Sequence, residues 1–472
     1  MQPHIFVTGV PEETHSESTT SNVTNLSVSS KGSSGQSGGG ALGQLSVPTW
    51  ETAVRRPSFL PNDTEMSIRP KMRKLSTYDL SMNDTITTDS FEPTVNGGPQ
   101  EDLVDNEPPP CLGYLTQWVV GDVQYITDFL DRWPLFSYIL PLKLINALLR
   151  TLGAPVLTNN PFSGALILVA LLLEAPLVAV WGLGALMVAL VMALILKQPQ
   201  HIVSSGQVTQ HGLLLGLLVG HSMQHSSDHT LPAAVLVLTL TAALSVIVGN
   251  AVSTWLSQTN LPGLTLPYIL VGSTLSYGLG YSDFPVGAAP VGNLANNTFV
   301  TDLQWSMVLQ GVARGAGQVY GCVGLASSCL VLSAMLVFSP IVFLHAILGT
   351  LVGGLCGVMM CSPPYLDLYT GQYGRHSLLT AISLGGFLFV VNFYSSLTAA
   401  CGALFSAFLF HTLKQSSVPV LTTPHVVATL VLLHARIRGG LLKRVDLIYL
   451  TFPEMHRRLF RPGNAVEDCT LA

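Results

Sequence analysis

The chain has 472 residues, of which 49% are hydrophobic and only 10% are charged, and its formal net charge is −5. A soluble domain carries about 25% charged residues, so this composition predicts a membrane protein and argues against a nucleic-acid partner. The seven cysteines form no CxxC pair, so the sequence predicts neither a zinc site nor a disulfide framework.

Residues 1–110 are rich in Ser, Thr, Gly, Pro and acidic residues, as in SVSSKGSSGQSGGG. We predict a disordered cytoplasmic tail here, because such a segment cannot bury enough apolar surface to order itself. Ser58 in RRPS and Ser76 in RKLS each follow two basic residues and one further residue. This pattern is typical of cAMP-dependent kinase sites, and we predict phosphorylation at both.

Long uncharged blocks occupy residues 229–282, 319–366 and 376–413. One crossing of a bilayer needs about 20 apolar residues in a helix, so the longer blocks contain more than one crossing. Pro176 and Pro340 interrupt two apolar runs. Because a helix readily begins at Pro, each break predicts a tight turn between two spans.

Three landmarks occur twice in the same order. They are Ala175-Pro176 and Ser339-Pro340, then GQVTQHGLL (206–214) and GQYGRHSLL (371–379), then LPGLTLP (261–267) and VPVLTTP (418–424). The sequence therefore predicts two repeats, at residues 130–285 and 306–435. An extracellular linker at 286–305 joins them, and a cytoplasmic tail at 436–472 follows.

Basic residues flank both ends of the apolar region, which predicts that both termini are cytoplasmic. Five spans per repeat satisfy this condition and make the repeats inverted relative to each other. The predicted fold is an all-α membrane protein with ten transmembrane helices as two inverted five-helix repeats. Asn296, in a linker sequon, is a predicted glycosylation site.

Several phrases resemble the urea transporter family of animals. They are LTNNPFSG (157–164), GAGQVYG (315–321), SPIVFLHAILG (339–349), the two Pro-x-x-Thr-x-Pro phrases and LTFPEMHRRLF (450–460). The resemblance covers residues 130–460. It implies a homotrimer in the plasma membrane, in which two pore half-helices are added to the ten transmembrane helices, each subunit has its own pore and urea moves passively.

Urea is neutral and planar, so a site that passes it needs neutral acceptors and apolar walls. The resemblance implies that Thr265 and Thr422 form the constriction and that Gln318 accepts a hydrogen bond from urea at one mouth. Alternatively, each threonine bonds a carbonyl of its own helix. The duplicated phrase adds Leu213 and Leu378 to the predicted substrate-binding set.

The chain departs from the family pattern at several positions. Ala154 and Leu157 stand where the family has Gln and Phe, Val323-Gly324-Leu325 replaces Asp-Asn-Pro, and His211 and His376 replace the Asn that begins each pore helix. Each histidine can be a neutral helix cap, contact the solute in an altered filter, or handle protons.

Other polar residues are predicted to have structural roles. Asn159, Asn160 and Pro161 are predicted to cap the next helix, with direct solute contact as the alternative. Glu174 is predicted to be solvated. Arg150 and Arg314 are expected either to snorkel to lipid headgroups or to repel cations at a pore rim.

The sequence therefore predicts a passive channel for urea or a related small neutral amide, with urea and membrane lipid as partners. It predicts no cofactor, no metal and no enzyme activity. One alternative is a non-conducting scaffold that resembles a urea transporter, since Ala154 and Leu157 remove predicted pore groups. The other is an ammonia-type channel that uses the paired histidines.

Overall fold

The computed structural model describes residues 120–133, 137–225, 230–279, 302–416, 418–435, 441–447 and 450–460. The predicted N-terminal tail, most of the linker, Ser58, Ser76 and Asn296 lie outside these ranges, whereas the predicted C-terminal tail at 436–472 is described in part, at 441–447 and 450–460. The helices, numbered in chain order, are α1 Gln124–Asp131, α2 Leu140–Gly153, α3 Pro161–Glu174, α4 Pro176–Ile195, α5 Gln200–Ser204, α6 Gln210–His225, α7 Leu231–Ser257, α8 Leu266–Leu279, α9 Trp305–Gly317, α10 Leu325–Phe338, α11 Pro340–Met360, α12 Leu366–Tyr369, α13 Gln372–Ile382, α14 Phe393–Lys414, α15 Thr423–His434 and α16 Pro453–Leu459.

In the described residues, helices α2–α8 and α9–α15 form two series with matching order and similar lengths. Helices α3 and α10 both have 14 residues, while α4 and α11 have 20 and 21. The 16 residues of α6 correspond to the 11 of α13 followed by a five-residue π-helical turn, Ser383–Phe387. The helix order is therefore that expected from the repeated sequence landmarks.

Both series begin with a bent helix pair. A short 3₁₀ turn follows α2 at Ala154–Val156, and another follows α9 at Gln318–Tyr320. The chain then bends by 78° before α3 and by 76° before α10. Each bend places the end of one helix and the start of the next close to the same turn.

By length and composition, four helices in the described part of the chain could cross a membrane: α4, α7, α11 and α14. The number rises to six if each bent pair is a single span. The arrangement of ten spans therefore stays a prediction.

Proline and short polar side chains set several helix starts. Pro176 and Pro340 are the first residues of α4 and α11, as the sequence predicts. The hydroxyl of Ser339 accepts a hydrogen bond from Val342 N at 3.1 Å and so satisfies a backbone donor in the first turn of α11.

Large apolar side chains are exposed on the outer faces of the long helices. Leu177 on α4 is 70% exposed, Leu344 on α11 is 64% exposed and Phe393 on α14 is 77% exposed. Such a surface is expected where lipid replaces water around a helix. The core lies between the two series and is shared by them, since its largest cluster contains residues of both.

Candidate solute pathway

Thr265 and Thr422 meet where α8 and α15 begin. Their hydroxyl oxygens are 2.8 Å apart, and each residue is only 6% exposed. The two threonines are thus bonded to each other, and the alternative in which each hydroxyl bonds its own helix does not hold. Their backbone carbonyls accept the first helical hydrogen bonds, from Ile269 N and Val426 N, both at 3.1 Å.

The residue before each of these threonines has a left-handed backbone. Leu264 has φ 44° and Leu421 has φ 43°, a region that non-glycine residues rarely adopt. Such conformations cost about 1–3 kcal/mol each and are concentrated at functional sites. The surrounding fold therefore imposes the same strained backbone twice, immediately before the two hydroxyls.

The duplicated phrase begins with glycine because of its backbone. Gly206 has φ 74° and Gly371 has φ 86°. A Cβ atom would lie 2.6 Å from Thr151 Cα at the first position and 2.5 Å from Gly315 N at the second. Both glycines thus allow the chain to turn closely against the first long helix of its own series.

The two histidines of the duplicated phrase differ in their positions. His211 is the second residue of α6, close to the predicted start, but His376 is the fifth residue of α13, which begins at Gln372. The prediction that both helices begin with histidine is therefore wrong for the second helix. His376 lies inside the helix, where the first-turn N–H groups are out of its reach, so it does not act as a cap.

A buried arginine that the sequence reasoning missed lies beside His376. Arg375 is 2% exposed, and its guanidinium contacts His376 Nε2 at 3.1 and 3.3 Å. It also donates to the carbonyl oxygen of Leu421 at 3.0 Å. The available signal was a charged residue inside the duplicated phrase, where the first copy has Gln210.

Gln318 lies in the 3₁₀ turn after α9 and is fully buried. Its Oε1 accepts a hydrogen bond from Gln372 Nε2 at 3.3 Å. In the first series Ala154 begins the corresponding turn, and Leu157 follows that turn with φ 59°. The turns thus have the same shape, but only the second carries an amide.

Leu213 and Leu378 occupy matching places in α6 and α13. Both are fully buried in the large apolar cluster shared by the two series. They can form part of an apolar wall.

The Asn159-Asn160-Pro161 segment begins α3. Asn160 Oδ1 accepts from Phe162 N at 2.8 Å, and Asn160 Nδ2 donates to Gly121 O at 2.8 Å. Asn159 accepts from Arg150 through its backbone and side-chain oxygens, at 2.8 and 3.0 Å. Pro161 is the first residue of the helix.

Arg150 and Arg314 neither snorkel to lipid headgroups nor lie on an open rim. They are 2% and 5% exposed. Besides Asn159, Arg150 donates to the carbonyl of Asp122 at 2.7 Å, and Arg314 donates to the carbonyl of Tyr369 at 2.8 Å. Arg150 therefore ties the segment before α1 to the end of α2, and Arg314 ties the end of α12 to the end of α9. Burial raises the pKa of the Asp122 carboxyl to about 6, and the charge of Arg150 opposes this shift in part.

Glu174 is exposed, as predicted, but its carboxylate is also hydrogen-bonded, which the sequence did not predict. Its Oε1 accepts hydrogen bonds from Val323 N at 2.5 Å and Gly324 N at 2.8 Å, and the hydroxyl of Ser327 donates to its Oε2. Gly324 precedes α10 and has no side chain with which to cap it. The carboxylate at the end of α3 therefore caps a helix of the other series.

A family model described as "Urea transporter" matches residues 145–437 of the chain. The chain belongs to the urea transporter family. Urea transporter 1 of Ovis aries is 29% identical over 357 residues, which cover 74% of this chain and 89% of that protein. Urea transporter 1 of Mus musculus is 29% identical over 354 residues, which cover 73% of this chain and 88% of that protein.

The family resemblance predicted from the sequence is therefore confirmed. Membership places the protein among transporters of urea across membranes and not among enzymes. Together with the apolar helices, it identifies a multi-pass membrane protein. Among the residues that the structure describes, no group of three or more His, Cys, Asp or Glu side chains is arranged to hold a metal ion.

Proposed function

We propose that this urea transporter family member conducts urea, or a related small neutral amide, passively through one pore in each subunit. The pore runs between two inverted repeats of five spans, and Thr265 and Thr422 form its constriction. The observation that carries the proposal is the hydroxyl pair itself, 2.8 Å apart, built from matching residues of both series.

The chemistry of the pair suits urea. Urea has four N–H donors, and each threonine hydroxyl has two acceptor lone pairs. At 2.8 Å the hydroxyls leave no room for a molecule between them, so a solute has to displace this contact or pass beside it. Each hydroxyl then exchanges its partner for a urea N–H, so that the solute sheds water without leaving polar groups unpaired.

The remaining predicted residues complete this proposal. Gln318, His211 and His376 supply neutral polar groups along the pathway, and Leu157, Leu213 and Leu378 supply apolar surface. Asn159, Asn160 and Pro161 hold the start of α3. The protein acts as a homotrimer in the plasma membrane with both termini cytoplasmic, is glycosylated at Asn296, and is phosphorylated at Ser58 and Ser76.

The test is uptake of radiolabelled urea by oocytes that express the full chain. Methylurea, ammonia and water are measured in the same membrane, and uninjected oocytes give the background. We expect urea uptake well above background, with little added ammonia or water permeability. Ammonia flux without urea flux would favour a channel that uses the histidines, and surface expression without any flux would favour a scaffold.

A further inference from the structure

The contact between Arg375 and His376 fixes the proton on the imidazole. A guanidinium group has five N–H donors and no acceptor. It contacts His376 Nε2 at 3.1 and 3.3 Å, so Nε2 has to be the acceptor. A neutral imidazole that accepts at one nitrogen carries its proton on the other. The His376 side chain therefore has a donor at Nδ1.

This donor has no hydrogen-bond acceptor among the described residues. His376 is fully buried, and its Nδ1 lacks a partner. Buried polar groups in native proteins are nearly always paired, so an orphan donor of this kind indicates a place where a solute or water binds.

The same arginine connects the donor to the threonine pair. Arg375 donates to the carbonyl of Leu421, which immediately precedes Thr422. Thr422 in turn contacts Thr265. A solute at the threonines needs acceptors for its N–H groups and a donor for its carbonyl oxygen. Threonine oxygens are acceptors of the first kind, and the unpaired His376 Nδ1–H, linked to the same segment through Arg375, is a donor of the second kind.

We infer that His376 Nδ1–H binds the carbonyl oxygen of the solute, and that Arg375 is the positioning residue that keeps the proton on Nδ1. The inference rests on the proposed function, because it assigns one donor within the same pathway. It makes the presence of a carbonyl group a requirement for rapid passage.

The first series lacks this arrangement. Gln210 stands at the place of Arg375, and its amide donates to Gln207 Oε1 at 3.1 Å. The neighbour of His211 therefore does not set the tautomer of that ring. His211 Nδ1 is also buried without a partner among the described residues, but no neighbour fixes its proton there, so the inference is confined to the second series.

The first experiment compares urea with thiourea, whose sulfur is a weaker hydrogen-bond acceptor than the carbonyl oxygen. His376→Asn can keep a donor at the Nδ1 position, whereas the Gln amide of His376→Gln reaches the Nε2 position instead. We expect His376→Gln to lower urea flux about fivefold, which corresponds to about 1 kcal/mol. It should lower thiourea flux less, whereas His376→Asn should preserve the ratio of urea to thiourea.

The positioning role of Arg375 is tested in the same assay. Arg375→Leu should lower the urea to thiourea ratio, and Arg375→Lys should restore it because an ammonium group still donates. His345→Gln is the matched control, since both ring nitrogens of this buried histidine are engaged, with Ile341 O at 2.8 Å and Ser396 Oγ at 3.1 Å. This control should lower both fluxes in proportion or neither. An unchanged ratio in His376→Gln would overturn the inference.

A second measurement is independent of transport. In purified protein labelled with ¹⁵N-histidine, the NMR signal that His376→Gln removes should be that of an Nδ1-protonated neutral ring. An Nε2-protonated ring would overturn the inference even if urea flux is normal. If wild-type protein carries no urea, the proposed function fails, and the Nδ1 signal alone decides whether the Arg375–His376 pair is as described.

Discussion

The threonine pair allows stability and transport to be separated. Val has the shape of Thr without the hydroxyl, so Thr265→Val leaves the Thr422 hydroxyl without its partner at 2.8 Å. An unpaired buried hydroxyl costs about 1–3 kcal/mol, and the 6% exposure of each residue favours the lower part of that range. Removing both hydroxyls leaves neither unpaired, so we expect the double variant to be more stable than the sum of the single changes predicts.

Unlike stability, urea flux should not recover in the double variant. Each substitution removes an acceptor for urea, so each single variant should lose urea flux about fivefold, which corresponds to about 1 kcal/mol. The double variant should lose at least as much. The assays are thermal unfolding of the protein in detergent, and uptake of radiolabelled urea normalised to surface expression.

A second buried threonine pair provides the control. Thr151 and Thr209 have hydroxyls 2.7 Å apart within the first series, and neither belongs to the predicted pathway residues. The same double replacement by Val there should show coupling in stability with little change in flux per molecule. If the double variant Thr265→Val with Thr422→Val instead has both wild-type stability and wild-type flux, the pair has only a structural role, and its assignment as the constriction is wrong.

Three further predictions concern the helix ends and turns. Glu174→Ala should lower the free energy of unfolding by about 1–2 kcal/mol through loss of a helix cap, and Glu174→Gln should lower it less; equal thermal stability of both variants and wild type would contradict the capping role. Ala154→Gln with Leu157→Phe should raise the ratio of urea to ammonia permeability; no change in either flux would exclude this turn from the pathway. Because the buried carboxyl of Asp122 has a raised pKa of about 6, it binds protons more readily in the folded than in the unfolded state, so stability should fall as pH rises from about 4 to about 6. The loss is at most about 3 kcal/mol, and Asp122→Asn should remove it in thermal unfolding measured across that range; an identical pH profile in both proteins would refute the assignment.

The sequence predicted the helix series because helix starts depend on local patterns, whereas the pairing of Thr265 with Thr422 was expected only from the family resemblance. Proline marks helix starts, and the repeated Pro-x-x-Thr-x-Pro phrase marks matching positions in the two series. Contacts between distant segments that lack a repeated phrase were missed. Val323 N donates a hydrogen bond to the carboxylate of Glu174, 149 positions earlier in the chain, and no local pattern reveals such a contact.

The start of α13 was also predicted wrongly, because the backbone after the first glycine differs between the two copies of the phrase. The same phrase begins with Gly206 and with Gly371, both left-handed. After Gly206 a turn continues to residue 209 before α6 begins, whereas α13 begins immediately after Gly371. The register of a helix start relative to a phrase depends on the packing of the preceding turn, which a single sequence does not show.

The cap that Glu174 provides makes the two series dependent on each other. The family pattern places an Asn before α10, and here Gly324 holds that position while the acceptor comes from α3. An Asn side chain at position 324 would accept from N–H groups inside α10, as Asn160 does from Phe162 N, and not from the two N–H groups that Glu174 binds. Its Cβ atom, however, would lie 2.8 Å from Glu174 Oε2, so a chimera that takes residues 306–435 from a relative with that Asn would displace the carboxylate. The halves of this protein are therefore not interchangeable modules, and position 174 has to be exchanged together with position 324.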